Sequence, residues 1–119
     1  MKSILVIDDE PALTMIFEEF LTDLGFKVKT ASNGKEALNI LENEPPPNLV
    51  LVDLKMPGIS GKMVIENMRQ NNTLAKIPVI IITGSVKNKI DFPPDGSYQA
   101  VIYKPFRLEE VLETIEKHI

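Results

Sequence analysis

Five polar residues stand where apolar runs end. Asp8 and Asp9 follow Ile4-Leu5-Val6-Ile7, and Asp53 follows Leu49-Val50-Leu51-Val52. Thr83 follows Pro78-Val79-Ile80-Ile81-Ile82, and Lys104 follows Ala100-Val101-Ile102-Tyr103. An open α/β sheet gathers the carboxyl ends of its strands around one crevice, so residues at those ends converge. Crowded carboxylates repel one another and raise at least one pKa unless a cation neutralises them. Oxygen-only ligands select a hard ion, and Mg2+ in particular keeps waters and shares its sphere with phosphate oxygens. Three acids, a hydroxyl and an ammonium can therefore hold Mg2+ together with a phosphoryl group, which is the chemistry of phosphoryl transfer. Any one of these acids alone is as well explained as a helix or turn cap. The combination at successive strand ends is what carries the reading.

The elements that must position these residues follow from periodicity. Apolar runs of strand length alternate with segments of helical period, the pattern of a parallel sheet covered on both faces. Leu13, Ile16, Phe17, Phe20, Leu21 and Leu24 repeat at about 3.6 residues, with Pro11 suited to the first turn and Gly25 to the stop. A strand over about Lys27 to Ala31 follows. Ser32 or Asn33 caps a second helix carrying Ala37, Leu38 and Leu41, which ends before Pro45-Pro46-Pro47. Ser60 caps a third helix using Val64, Ile65 and Met68, and the last helix uses Leu108, Val111, Leu112 and Ile115. Between Thr83 and Ala100 only Val86 and Ile90 support helical turns before Asp91-Phe92-Pro93-Pro94-Asp95-Gly96, so the fourth of the expected helical connections is short or irregular.

The 119 residues, 44% of them apolar, fit one domain spanning 1–119 with one core. The formal charge is −4 and the basic residues are scattered, which argues against direct nucleic-acid binding. Cysteine is absent, excluding disulfides and thiolate metal sites. The apolar run after Lys2 is too short for a signal peptide or a membrane span, so a cytoplasmic protein without membrane insertion is expected.

Four segments together resemble the receiver domains of two-component response regulators: Val6-Ile7-Asp8-Asp9-Glu10, Leu51-Val52-Asp53-Leu54-Lys55-Met56-Pro57-Gly58, Ile81-Ile82-Thr83-Gly84 and Tyr103-Lys104-Pro105-Phe106. Each is weak alone, but their order and strand-end positions are specific. The resemblance covers the whole chain and implies a flavodoxin-like, doubly wound five-stranded parallel sheet of strand order 2-1-3-4-5. It makes Asp53 the phosphoacceptor, attacking a phosphohistidine of a histidine kinase or phosphotransfer protein to give an acyl phosphate. It assigns Mg2+ to Asp9 and Asp53, to the Lys55 backbone carbonyl and, through water, to Asp8. Lys104 would neutralise the transferring group and Thr83 would donate its hydroxyl to a phosphoryl oxygen, moving as it does so. The activity so implied is self-phosphorylation and slow hydrolysis rather than turnover of an external substrate, with the resulting state relayed to a downstream output protein or domain. A cis bond at Lys104-Pro105 is also implied.

The chain departs from the family at residue 101, where a valine replaces the usual Tyr or Phe; Tyr103 lies on the same strand face. Together with the weak 84–99 pattern, this leaves the chemistry intact and the signalling surface altered. Two rival readings stand beside this one. A phosphorylation-independent interaction module of the same fold would not need the complete set of polar strand ends. A flavin-binding carrier would need a phosphate-cradling loop where Asp8-Asp9-Glu10 instead repel phosphate.

Overall fold

The computed structural model describes residues 1–119. Strands β1 (Ser3–Ile7), β2 (Lys27–Ala31), β3 (Leu49–Val52), β4 (Val79–Thr83) and β5 (Ala100–Tyr103) form one sheet, all parallel, in the order β2-β1-β3-β4-β5. Helices α1 (Pro11–Asp23), α2 (Gly34–Asn43), α3 (Gly61–Gln70) and α4 (Leu108–His118) supply the cover. This is the flavodoxin-like architecture and strand order that the receiver resemblance implies.

Because side chains alternate across a strand, each central strand feeds two cores. Leu5, Ile7, Val50, Val52, Val79 and Ile81 pack with Ala37 and Leu41 of α2 and with Val64, Ile65 and Met68 of α3. Their neighbours Ile4, Val6, Leu49, Leu51, Ile80, Ile82 and Ile102 face the opposite way, against Phe17 and Leu21 of α1 and Val111 and Ile115 of α4. Burial on both faces explains why β1, β3 and β4 read as unbroken apolar runs. The expected caps are present: the Asn33 side chain accepts from the Glu36 amide at 2.7 Å and Ser60 Oγ from the Met63 amide at 3.3 Å. Gly25, at φ +97°, ends the first helix as its position suggested.

One expectation needs correction. Ile16 and Leu24 of the apolar period in α1 are about half exposed, because a helix on a sheet buries only the stripe through Phe17 and Leu21. No α-helix forms between β4 and β5. There Asn88 Oδ1 accepts from the amides of Ile90 and Asp91 at 2.9 and 2.7 Å, a local bond that competes with helical turns, and Pro93 and Pro94 follow. The segment still closes the core: Phe92 is buried and sits edge-on to Tyr98, with ring centroids 6.1 Å apart. Arg69 ties its far end to α3, donating to the Ser97 carbonyl at 2.8 Å and to Gln99 Oε1 at 3.3 Å.

Candidate functional site

The register carries the polar residues to one end of the sheet. Ile7 pairs with Val52 and Thr83 with Tyr103, so the next residues, Asp8, Asp53, Gly84 and Lys104, emerge side by side. The backbone is tied beyond the ladder as well, because the Asp53 amide donates to the Ile7 carbonyl at 3.0 Å and the Lys104 amide to the Thr83 carbonyl at 2.8 Å. Asp53 is held from behind by a close approach of α3. A Cβ at Gly61 would lie 2.2 Å from the Asp53 carbonyl oxygen, so only glycine lets the helix start there.

The resulting cleft, about 440 Å³, is lined by Asp9, Glu10, Asp53, Lys55, Thr83 and Lys104, and no apolar side chain enters its lining. Carboxylate oxygens of Asp8, Asp9 and Asp53 lie within 4.8 Å of one another. Asp8 and Asp53 are buried, at 3% and 6% exposure, and Asp9 is exposed. Local bonds orient the buried pair: Asp8 Oδ1 accepts from the Glu10 amide at 2.9 Å and Asp53 Oδ1 from the Lys55 amide at 3.4 Å. The Lys104 ammonium stands among three acids, 3.2 Å from Asp8 Oδ2, 3.2 Å from Glu10 Oε1 and 3.5 Å from Asp53 Oδ2. The Lys104-Pro105 bond is cis.

Burial pushes the carboxyl groups of Asp8 and Asp53 up; Lys104 pulls both down without cancelling the effect. For Lys104 itself burial acts downward, but the Asp53 and Asp8 carboxylates and the Glu10 hydrogen bond outweigh it and raise the pKa. The site thus holds more negative charge than one ammonium neutralises. Its donors are all oxygen, its acids converge from two strands, and both features suit a hard divalent cation.

A family model described as the response regulator receiver domain matches residues 4–116. The chain belongs to the response regulator receiver domains. The family's general function is that of a phosphorylation-dependent switch in two-component signalling, and receiver domains relay signals from kinases to outputs. Among curated relatives, the receiver resembles a probable transcriptional regulator ycf29 of Porphyra purpurea, 35% identical and covering 98% of the chain but 56% of the relative. It is also 29% identical to the polar-differentiation response regulator DivK of Brucella anthropi, over 99% of the chain and 96% of DivK. The chain spans about half the length of the curated ycf29 and ycf27 relatives it matches. The response regulator TrrA from Thermotoga maritima, solved in complex with Mg2+-BeF, superposes with a TM-score of 0.86 at 30% identity over the full length of both chains. The chemotaxis protein CheY4 of Vibrio cholerae shares the fold at a TM-score of 0.90 with 22% identity, covering 100% of this chain and 99% of that one.

Every strand-end residue singled out by the sequence lies at this receiver's crevice. The Lys55 side chain does not lean over Asp53. It reaches the rim, where its Nζ is 3.9 Å from Asp91 Oδ2 of the β4–β5 connection. Thr83 is fully buried, its hydroxyl oxygen accepting from the Ser85 amide at 3.2 Å. Val101 packs against the α2–α3 core, and Tyr103, the strand partner of Thr83, is 47% exposed. Sequence reasoning passed over Glu10 as a working side chain. Its signal was present in the third consecutive acid after β1.

Proposed function

We propose that residues 1–119 form one receiver domain whose Asp53 accepts a phosphoryl group from a phosphohistidine of a histidine kinase or phosphotransfer protein. The convergence of Asp8, Asp9 and Asp53 with the Lys104 ammonium 3.5 Å from Asp53 Oδ2 supports the reading. An Asp53 carboxylate oxygen forms the bond to phosphorus as the phosphorus–nitrogen bond to the donor imidazole breaks. The imidazole nitrogen keeps the electron pair and takes a proton from water. Asp9, Asp53, the Lys55 carbonyl and, through water, Asp8 would hold Mg2+, which neutralises charge on the transferring group. Lys104 adds a second positive charge, its ammonium 3.5 Å from Asp53 Oδ2, and Thr83 gives its hydroxyl to a phosphoryl oxygen once Asp53 is modified.

Mg2+ is the cation bound with fluoroberyllate in the TrrA complex, which supports its choice here. The modified state would act on a downstream output protein or domain, in the cytoplasm where histidine kinases place their phosphohistidines. No helix of the chain is long and apolar enough to cross a membrane. Incubation with a labelled small acyl-phosphate donor separates this reading from an interaction module that ignores phosphate. The receiver takes up label only when Mg2+ is added, and failure to take up any label with Mg2+ present would leave the interaction module.

Lys55 should lengthen the life of the aspartyl phosphate. Its ammonium is at the mouth of the cleft on a flexible stem, and a new dianionic group on Asp53 is a stronger partner than Asp91 at 3.9 Å. Once recruited, it also obstructs the line along which water attacks. Lys55→Ala is expected to hydrolyse about two- to tenfold faster, the range of one exposed charge pair plus partial shielding. A decay rate equal to that of the parent would remove Lys55 from the account.

A further inference from the structure

The helix N-cap Glu10 does not use its side chain to cap α1. An N-cap side chain ordinarily accepts from an amide of the first turn. Here Glu10 Oε1 turns into the cleft and binds the Lys104 ammonium at 3.2 Å, as close as Asp8 and closer than Asp53. The two buried acids are fixed by local amide bonds, whereas the Glu10 carboxylate is 63% exposed and swings on a longer stem. It is the one partner of Lys104 that can leave without unmaking a strand end.

We infer that Glu10 is a positioning residue that holds Lys104 in the unmodified protein and competes with the phosphoryl group for it. A phosphoryl group on Asp53 needs the same ammonium, and its oxygens repel a carboxylate bound to the same donor. Glu10 must therefore give way, and the interaction it loses counts against the modified state. Glu10 thereby sets how readily the site fills, and removal of its charge favours an anionic occupant. The same charge attracts a cation, so its loss has the opposite sign for Mg2+ alone.

The inference rests on the phosphoacceptor reading, and a phosphoryl mimic tests the two separately. Fluoroberyllate affinity at saturating Mg2+, followed by amide resonances because the chain has no tryptophan, is compared for the parent, Glu10→Gln and Glu10→Ala. Both variants are expected to bind the mimic about two- to fivefold more tightly, the worth of one partly exposed ion pair. Both should bind Mg2+ alone more weakly. A purely structural role at the start of α1 would lower thermal stability and leave both affinities unchanged. Unchanged or weaker binding of the mimic by both variants would overturn the inference. A parent that does not bind the mimic at all would instead overturn the phosphoacceptor reading.

Discussion

Lys104→Ala is expected to slow phosphorylation of Asp53 by about 10²- to 10³-fold at saturating Mg2+, the range for removal of one preorganised electrostatic group. The ammonium lies 3.5 Å from Asp53 Oδ2 and is mostly buried, so charge developing on the transferring oxygens loses a partner in a site that water screens poorly. Asp9→Ala should fall in the same direction through loss of a cation ligand. The rate of label incorporation measures both, with thermal unfolding as the check that the variants fold. A Lys104→Ala rate within about threefold of the parent would remove the ammonium from the chemistry.

Asp53→Asn should abolish modification and, in the absence of Mg2+, make the fold more stable. Burial raises the Asp53 pKa above its ordinary value of 3.8. A group whose folded pKa exceeds its unfolded one binds more protons when folded, so its contribution to stability falls as pH rises from about the unfolded value through the folded one. At neutral pH the charged Asp53 is thus a cost, and the amide escapes it while keeping the shape. The expected gain is present near pH 7 and vanishes towards pH 4. Taking the difference between parent and variant cancels the other acids, which titrate in both. Lys104 works at the other end: its raised pKa gives stability that is present below 10.5 and lost as pH rises through the folded value. Mg2+ should reverse the ranking, since a ligand at a hundred times its Kd adds about 2.7 kcal/mol to the protein that binds it. Urea unfolding at pH 4, 5.5 and 7, with and without Mg2+, reads the Asp53 effects. A variant no more stable than the parent at pH 7 without Mg2+ would contradict the electrostatic account of the site.

The polar strand ends were legible because a parallel sheet makes position along the chain nearly equivalent to position in space. Once Ile4–Ile7 and Leu49–Val52 are strands, Asp8 and Asp53 have little freedom to be anywhere but together. Periodicity served less well at α1, where it counts apolar residues but not the width of the surface they meet; hence Ile16 and Leu24. The weakness of 84–99 was visible in its prolines, yet its solution was not. Phe92 lies among breakers that give it no periodic partner along the chain, yet it packs into the α2–α3 core. Gly61 was invisible for a similar reason, since the backbone approach that requires it joins α3 to the loop after β3 and leaves no local pattern. The reach of Lys55 and Glu10 depended on rotamers, which residue types and spacing do not specify.

The account stands most directly on where a phosphoryl group attaches. Intact-mass analysis after exposure to a small acyl-phosphate donor, with and without Mg2+, followed by peptide mapping of the parent and of Asp53→Asn, measures it. One phosphoryl group, dependent on Mg2+, located on Asp53 and absent from Asp53→Asn is the predicted result. Full modification of Asp53→Asn at another residue, or modification of the parent that ignores Mg2+, would contradict it.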